Sequence, residues 1–278
     1  MKVLVIGASG VAGREVIPRL LSKGFNVVAM VRNKKDFKKF SNIANEVIIG
    51  DILDIDTLEA AVKGCACVIN LATAIPDWEQ TDKIRNEGTK NLISVASKYR
   101  VKIIQQSIIF LYGEQKDNIV DEKTETKPFE LIQSAANMEQ TVINSNLDYI
   151  ILRGGLFYGS TTGTEDNWFN LAKNNKLQVS NAKYSYNSLI HISDFADACV
   201  LAVNSKYSKN IYNVVDNYNV DDKELYDFIN KLFDNKKTKT GGDRFLPSLR
   251  VSNKKIKKEL LWEPEYSSYK TYFKELIN

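Results

Sequence analysis

Short apolar runs rich in valine and isoleucine alternate with amphipathic stretches over the N-terminal half of the chain. The runs are KVLVIG, NVVAMV, NEVIIG, ACVINLA, KIIQQSIIFL and DYIILRGG, at 2–7, 26–31, 45–50, 66–72, 102–111 and 148–155. Helix-like segments lie between them, at 12–23, 57–63, 83–99 and 129–145. Continuous apolar strands separated by helices are typical of a parallel sheet covered on both faces. The pattern therefore predicts an α/β fold with a doubly wound parallel sheet.

The pattern changes after Gly155, where the sequence becomes polar and rich in Asn, Tyr and Lys. This change predicts a small, discontinuous C-terminal substrate lobe. We expect two parts, a sheet domain and a lobe: residues 1–159 with about 188–216, and about 160–187 with 217–278. Since ligands of open α/β sheets bind at the carboxyl ends of the strands, the lobe is expected to enclose a small-molecule substrate there.

Composition and charge exclude several other classes of protein. With 44% hydrophobic and 26% charged residues, the 278-residue chain has the composition of a soluble globular protein. It contains neither a signal-peptide pattern nor an apolar run of about 20 residues, so we expect a cytoplasmic protein with no membrane partner. Lysine-rich runs at 33–39 and 252–259 are typical of solvated helix faces, and nucleic acid is not an expected partner. One histidine and three cysteines without metal spacing predict no metal site.

A glycine loop joins the first apolar strand to the first helix. Gly7 permits a tight turn, Gly10 lets backbone amides approach a pyrophosphate, and Gly13 allows the helix to pack closely on the sheet. The helix N-terminus favours an anion. The loop therefore predicts a dinucleotide site; the alternative is a glycine-rich turn that binds no ligand.

The end of the second strand bears on the choice of cofactor. A site selective for NAD would place a carboxylate here, but the chain has Arg32, followed by Lys34 and Lys35. A guanidinium can bind the 2′-phosphate that a carboxylate would repel. We therefore predict that NADP(H) is preferred over NAD(H), with stacking of Arg32 on the adenine as the alternative.

Eight motifs follow one another along the chain. They are GASGVAG (7–13), GDILD (50–54), VINLAT (68–73), FLYG (110–113), LRGGLFYG (152–159), IHISDFADA (190–198), YNVVD (212–216) and SNKKIKKELLWEPEYSSY (252–269). Together they resemble the extended and atypical branch of the short-chain dehydrogenase/reductase superfamily, whose members include NAD(P)-dependent epimerases and dehydratases, many acting on nucleotide sugars. The likeness spans nearly the whole chain. It implies a Rossmann-type fold and dimerisation through the helices at 83–99 and 129–145.

The resemblance also implies where the cofactor binds. Ser9 and Val11 join the three glycines of the loop, Asp51 bonds the adenine amino group, and Ile52 packs on the ring. The segments beside the pyrophosphate and the nicotinamide supply the remaining expected contacts: Leu71, Ala72, Thr73, Gly155 and Leu156.

The chain departs from this family in its acid/base residues. The family uses a tyrosine and a lysine four residues later, whose charge lowers the tyrosine pKa. Leu131 and Ala135 stand at those two positions. Another Tyr-x-x-x-Lys, formed by Tyr112 and Lys116, includes the turn-like sequence GEQK, so we do not expect it to act as a pair.

Tyr112 and Ser107 are the remaining catalytic candidates. Tyr112 matches the tyrosine of the family's strand-end YG motif, beside the substrate cleft. Ser107 lies one residue before the position of the family's serine, and such a step reverses the face of a strand unless a bulge corrects it. The alternative for Ser107 is a small core residue.

Further side chains are candidates for contact with a substrate, each with ordinary packing or solvation as the alternative: Trp78, Arg85, Tyr158 and Trp168. By analogy alone, Arg244 and Arg250 could meet the phosphates of a nucleotide sugar. His191 and Asp194 match an H-x-x-D stretch, from which we expect a structural role for His191.

Two functional hypotheses follow. The first is an NADP(H)-binding oxidoreductase, or an epimerase- or dehydratase-like enzyme, that acts on a small carbonyl or sugar-like substrate, nucleotide sugars included. The second is a regulator or redox sensor that binds the cofactor without turnover. Loss of the Tyr/Lys pair favours the second hypothesis, and the retained aromatic residues and C-terminal lobe favour the first.

Overall fold

The computed structural model describes residues 1–235 and 238–276. The chain divides into two compact units. The first unit comprises Met1–Ile108, Phe129–Arg153 and Ala196–Tyr212; the second unit comprises Ile109–Pro128, Gly154–Phe195 and Asn213–Asn278. Four segments that were predicted to belong to the sheet domain lie instead in the second unit: 109–128, 154–159, 188–195 and 213–216.

The strands are β1 (Lys2–Ile6), β2 (Asn26–Val31), β3 (Glu46–Ile49), β4 (Cys67–Asn70), β5 (Lys102–Ile108), β6 (Ile119–Val120), β7 (Tyr149–Gly154), β8 (Leu156–Tyr158), β9 (Gln178–Val179), β10 (Tyr186–His191), β11 (Asn210–Val214), β12 (Asn219–Asp221), β13 (Lys239–Thr240) and β14 (Arg250–Val251). The α-helices are α1 (Val11–Ser22), α2 (Lys34–Phe40), α3 (Ile55–Val62), α4 (Trp78–Lys83), α5 (Thr89–Tyr99), α6 (Gln133–Ile143), α7 (Thr164–Lys173), α8 (Ile192–Val203), α9 (Asp222–Leu232), α10 (Lys254–Leu260) and α11 (Tyr269–Glu275). Short 3₁₀ turns span Ile109–Tyr112 and Glu130–Ile132, and a π-helical turn spans Ile84–Gly88.

A seven-stranded parallel sheet forms the centre of the fold, in the order β11-β7-β5-β4-β1-β2-β3. The strands run outward from β1 in both directions, through β2 and β3 on one side and through β4 and β5 on the other. The order therefore reverses between β1 and β4, which is the place where ligands bind in open α/β sheets. The predicted α/β class and doubly wound sheet are confirmed.

Helix boundaries follow the spacing of apolar residues. In α1 the buried residues recur at the spacing of one helix face, with Ala12, Val16 and Leu20 among them. The predicted helix at 83–99 is instead α4, the π-helical turn and α5 in succession. The predicted strand at 102–111 ends at Ile108, where a 3₁₀ turn begins.

A buried ion pair lies on one face of the sheet within the first unit. Arg153 of β7 donates from Nε to Glu139 Oε1 over 2.9 Å and from Nη2 to Glu139 Oε2 over 2.6 Å. Ser107 of β5 donates its hydroxyl proton to the same Glu139 Oε1 over 2.5 Å. Both charged side chains are 5% exposed. The carboxylate of α6 therefore binds β5 and β7 at once.

Several aromatic residues form part of the core of the second unit. The Tyr158 ring lies edge-on to Phe273 with centroids 5.7 Å apart, and Trp168 packs on Phe273 at 6.2 Å. The ring of His191 lies 4.1 Å from that of Tyr266, and its Nδ1 is 2.5 Å from Ser193 Oγ. Such contacts are typical of a packed structural histidine.

Asp194 connects α8 to the C-terminal segment within the second unit. Its carboxylate accepts from the backbone N–H groups of Glu265 and Tyr266 over 2.9 and 3.1 Å. Its carbonyl accepts from Trp262 Nε1 over 3.0 Å. These bonds fix the loop that precedes α11.

Asp216 is a buried acid with one satisfied oxygen. Its Oδ1 accepts from Tyr218 N over 2.9 Å, and among the described residues no donor reaches Oδ2. Burial raises the pKa of this carboxyl well above its usual range, and the charge of Asp194 raises it further. The folded state therefore binds a proton at Asp216 to a higher pH than the unfolded state does.

We expect Glu139→Ala to lower the free energy of unfolding by about 3–5 kcal/mol, because it removes the carboxylate that balances a buried guanidinium. Urea denaturation measures this loss. The control is Glu59→Ala, which breaks an exposed ion pair with Lys98 and should cost far less. Equal losses in the two variants would contradict a stabilising role for the buried pair.

Asp216 should make stability depend on pH. Because its folded pKa is raised, its contribution is fully present below the unfolded pKa and is lost as the pH rises through the folded pKa. Asp216→Asn cannot ionise, so its unfolding free energy should fall less between pH 4 and pH 8, by about 1.4 kcal/mol per unit of pKa elevation. Denaturant titrations at both pH values check this, with the exposed Asp117→Asn as control. A wild-type pH slope in Asp216→Asn would refute it.

Candidate functional site

The glycine loop of the first unit requires glycine at two positions. Gly7 has a φ of +80°, and a Cβ there would lie 2.8 Å from the carbonyl carbon of Leu71. A Cβ on Gly13 would lie 2.4 Å from Gly7 O and 2.6 Å from Ala8 O. Any side chain at either position would displace backbone, so these glycines let α1 begin directly against the end of β1.

The first turn of α1 is an open anion-binding position. Its N-cap is Gly10, whose N–H donates to Gly7 O over 3.0 Å. Within the described residues no side chain caps this helix end, and its first turn contains no acidic residue. The backbone N–H groups that begin at Val11 therefore have no side-chain acceptor, and the helix dipole favours negative charge there. This is the geometry that binds a pyrophosphate.

The segment after β4 runs beside the glycine loop. Leu71 N donates to Ile6 O over 3.0 Å, and Ala72 N donates to Asn70 Oδ1 over 3.2 Å. Thr73 is exposed. The structure therefore brings Leu71 and Ala72, two of the three predicted residues of this segment, next to Gly7.

The predicted adenine-binding residues follow β3 in the first unit. Asp51 is half-buried, and its Oδ1 accepts from Leu53 N over 3.0 Å. Ile52 is 3% exposed and packs against Gly88, where a Cβ would lie 2.9 Å from Ile52 Cγ2. Stacking of Ile52 on an adenine ring stays a prediction. Arg32, one residue beyond β2, is exposed.

Both catalytic candidates have buried hydroxyl groups that donate to protein acceptors. Ser107 belongs to the ion-pair network of the first unit. Tyr112, in the second unit, has no exposed surface, and its hydroxyl donates to Asn213 Oδ1 over 2.8 Å. Lys116 is exposed, with a left-handed φ of 58°. Since Tyr112 ends a 3₁₀ turn, no helix places Tyr112 and Lys116 on one face.

Gly155 lies in the second unit in a crowded position. A Cβ at this residue would lie 2.6 Å from Ser188 O, and its N–H donates to Val214 O over 3.0 Å. Leu156 begins β8 and lines a cavity.

This cavity has a volume of about 550 Å³ and lies wholly within the second unit. Its walls come from β8, the start of α7, β9, the start of α9 and residues 241–246. Leu156 and Trp168, predicted as cofactor and substrate contacts, both line it. Two residues that were predicted to contact different ligands thus line one cavity.

The remaining predicted substrate residues lie elsewhere. Tyr158 has no exposed surface and packs in the aromatic core. Arg85 is 5% exposed, and its Nη1 lies 3.4 Å from Ser134 Oγ within the first unit. Burial lowers the pKa of Arg85. Trp78 is half-buried at the start of α4.

A buried ion pair in the cavity wall could not be predicted from the sequence. Arg244 Nη1 donates to Asp222 Oδ2 over 2.5 Å, and Nη2 donates to Asn187 Oδ1 over 2.9 Å. Asn187 Nδ2 donates in turn to Asp222 Oδ1 over 2.8 Å. These residues are too far apart in sequence for a local pattern to join them. Arg250, the other predicted phosphate ligand, lies over the ring of Tyr186 at 4.9 Å.

Residues 1–235 and 238–276 lack two features of other protein classes. No group of three His, Cys, Asp or Glu residues there could hold a metal ion. No helix in that part of the chain has both the length and the hydropathy needed to cross a bilayer.

Known proteins match more than half of the chain. Residues 7–204 match the family described as NAD(P)H-binding. A 3-diazoavenalumate denitrifying reductase of Streptomyces sp. is 28% identical over 226 residues, which cover 74% of this chain and 73% of that protein. The photosystem II assembly factor Ycf39 of Trieres chinensis is 26% identical over 159 residues, which cover 57% of this chain and 46% of that protein.

A solved structure shares the architecture. The dTDP-glucose 4,6-dehydratase of Bacillus anthracis, in complex with NAD, aligns with a TM-score of 0.84 and 20% identity. The alignment covers 100% of this chain and 95% of that chain, and at this identity it shows the fold alone. Because the family match covers well over half of the sequence, the chain belongs to the NAD(P)H-binding family, with the fold of the short-chain dehydrogenase/reductase superfamily.

Proposed function

We propose that the protein is an NADP(H)-dependent oxidoreductase that transfers a hydride between the nicotinamide and a small carbonyl-type substrate. The observation that carries the proposal is the uncapped N-terminus of α1 behind the glycine loop, in a chain of the NAD(P)H-binding family. The Streptomyces relative supports oxidoreductase chemistry, because it is named a reductase and aligns over about three quarters of both chains.

The preference for NADP(H) rests on charge after β2. Arg32 is exposed and is followed by the exposed Lys34 and Lys35. A 2′-phosphate beside this group would form charge-assisted hydrogen bonds.

Proton transfer is proposed to use water or the substrate itself. The hydroxyl groups of Ser107 and Tyr112 already donate to Glu139 and Asn213. To donate to a substrate, Tyr112 would have to leave the buried Asn213 Oδ1 without its hydrogen bond, at a cost of about 1–3 kcal/mol. Ser107 would have to give up its hydrogen bond to Glu139 Oε1, which would retain the bond from Arg153. We therefore propose that Ser107 and Tyr112 position their surroundings, while the hydride itself is supplied by the cofactor.

A second candidate is a cofactor-binding factor without turnover. It is favoured by the hydroxyl groups of Ser107 and Tyr112, which already donate to protein acceptors. It is also favoured by the likeness to Ycf39, which is named an assembly factor; the match covers 46% of that protein. Tight NADPH binding without consumption would separate this candidate from the enzyme.

A homodimer through 83–99 and 129–145 completes the proposal. Its support is the resemblance to the superfamily and the 38% exposure of the apolar Ile143 at the end of α6. A mass of 31.5 kDa in solution, that of one chain, would contradict it.

We expect the protein to oxidise NADPH with at least one member of a panel of aldehydes and ketones, measured by the loss of absorbance at the wavelength of the reduced nicotinamide. Val11→Asp should weaken NADPH binding at least about tenfold, because it places a carboxylate in the anion-binding turn. Ser22→Asp, at the other end of α1, adds the same charge and should bind normally. No NADPH consumption with any carbonyl would reject the enzyme and favour the second candidate.

We expect Arg32→Ala to weaken NADPH at least about tenfold while NADH changes by less than about twofold, since only NADPH carries the 2′-phosphate. Cofactor fluorescence titrations measure both. Lys39→Ala, which removes an exposed positive charge farther along α2, is the matched control. Equal losses for the two cofactors would overturn the preference for NADP(H).

A further inference from the structure

The cavity of the second unit has few acidic or basic side chains in its lining. Asp222, Asp243 and Arg244 are the aspartates and the arginine of its lining, so two carboxylates face one guanidinium. Tyr226 also lines the cavity, and burial raises the pKa of its phenol to about 12, which leaves it neutral. The lining thus carries a net negative charge, the opposite of what a phosphate requires.

Both terminal nitrogens of the guanidinium already donate to protein acceptors, and the remaining donor, Arg244 Nε, is buried and has no acceptor among the described residues. The Arg244 side chain is 9% exposed, and Asp222 accepts its strongest hydrogen bond. Its Nη2 donates to Asn187 Oδ1 and to Tyr186 O over 2.9 and 3.0 Å. A phosphate would have to displace the buried Asp222, which would then be left without its cation, at a cost of several kcal/mol.

Neutral groups are available in the same wall. The amides of Asn167 and Gln178 line the cavity, both residues are exposed, and within the described part of the chain no hydrogen bond engages either side chain. Each amide offers a donor and an acceptor without charge.

Aromatic side chains, together with Leu156 and Leu246, supply the apolar part of the lining. Trp168 and Tyr226 lie with ring centroids 6.3 Å apart. Phe245, also in the lining, is 73% exposed. Large exposed aromatic side chains at a concave surface are typical of ligand sites, because they gain burial when a flat ligand enters.

We propose that this cavity binds an uncharged ligand that combines a planar apolar part with amide-like or carbonyl-like hydrogen-bonding atoms, and that it discriminates against phosphorylated and other anionic ligands. The inference deepens the proposed function, on which it rests in taking this ligand to be the substrate. It disfavours nucleotide sugars, whose diphosphate would meet the paired Arg244 and two carboxylates.

The test compares matched probes at the indole of Trp168. The chain has three tryptophans, so a ¹⁵N-labelled sample gives three indole N–H signals, and Trp168→Phe assigns the one in the cavity. Cinnamamide and cinnamate share a planar skeleton and differ in charge, and UDP serves as the nucleotide probe. All titrations use protein without cofactor, so they do not depend on NADP(H) binding.

We expect cinnamamide to shift the Trp168 signal at concentrations at least about tenfold lower than cinnamate or UDP, because like charges repel in the cavity. Asp222→Asn should reduce the ratio of the cinnamate dissociation constant to the cinnamamide dissociation constant by at least about threefold. Asp243→Asn, an exposed substitution that leaves the Asp222–Arg244 ion pair intact, should also reduce the difference in affinity between cinnamamide and cinnamate. Asp117→Asn, which replaces an exposed aspartate outside the lining, should leave the difference in affinity between cinnamamide and cinnamate unchanged.

Three results would overturn the inference. Cinnamate or UDP could bind as tightly as cinnamamide, or Asp243→Asn could leave the difference in affinity between cinnamamide and cinnamate unchanged. The third is that no probe shifts the indole N–H signal of Trp168. Failure of the proposed function looks different. If cinnamamide binds as expected but NADPH is never consumed, the ligand class stands and the enzyme is rejected. If NADPH is consumed but cinnamamide does not bind more tightly than cinnamate and UDP, the enzyme stands and the ligand class is rejected.

Discussion

The bidentate ion pair between Glu139 and Arg153 constrains the first unit more than any other contact described. It places a charge from α6 against the sheet, and it also binds Ser107 of β5. A buried pair of this kind is often no more stabilising than packed apolar residues, but it tolerates little displacement, because both charges must stay matched. The positions of α6, β5 and β7 in the first unit are therefore set together. A serine that the sequence presents as a catalytic candidate is, in the fold, part of that arrangement.

The parts of the fold that were predictable are those that depend on local pattern. Continuous apolar runs specified the parallel sheet, and the spacing of Gly7, Gly10 and Gly13 specified the turn into α1, since backbone proximity there excludes any side chain. The end of the strand at Ile108 was not predictable, because an apolar sequence such as IIFL suits a strand and a buried 3₁₀ turn equally. The Asp222–Arg244 pair was also inaccessible, since tertiary folding alone joins residues 22 positions apart.

Each unit contributes a different kind of recognition. The first offers backbone N–H groups at the start of α1, where no side chain caps the helix and the helix dipole favours negative charge. The second offers a cavity in which Asp222 already pairs with Arg244, Asp243 leaves an excess of negative charge, and Asn167 and Gln178 supply neutral amides. A likeness in fold to a dTDP-glucose dehydratase carries no information about this second feature, because the chemistry of a cavity depends on individual side chains rather than on topology.

The buried carboxyl of Asp216 has a consequence for calorimetry. Since the pKa of Asp216 is higher in the folded protein than in the unfolded chain, unfolding at a pH between those two pKa values releases a proton to the solvent. The buffer then takes it up, and its own heat of ionisation enters the measured enthalpy. Scans in phosphate and in Tris should accordingly give different apparent enthalpies for the same melting transition, and the difference counts the protons that the fold retains.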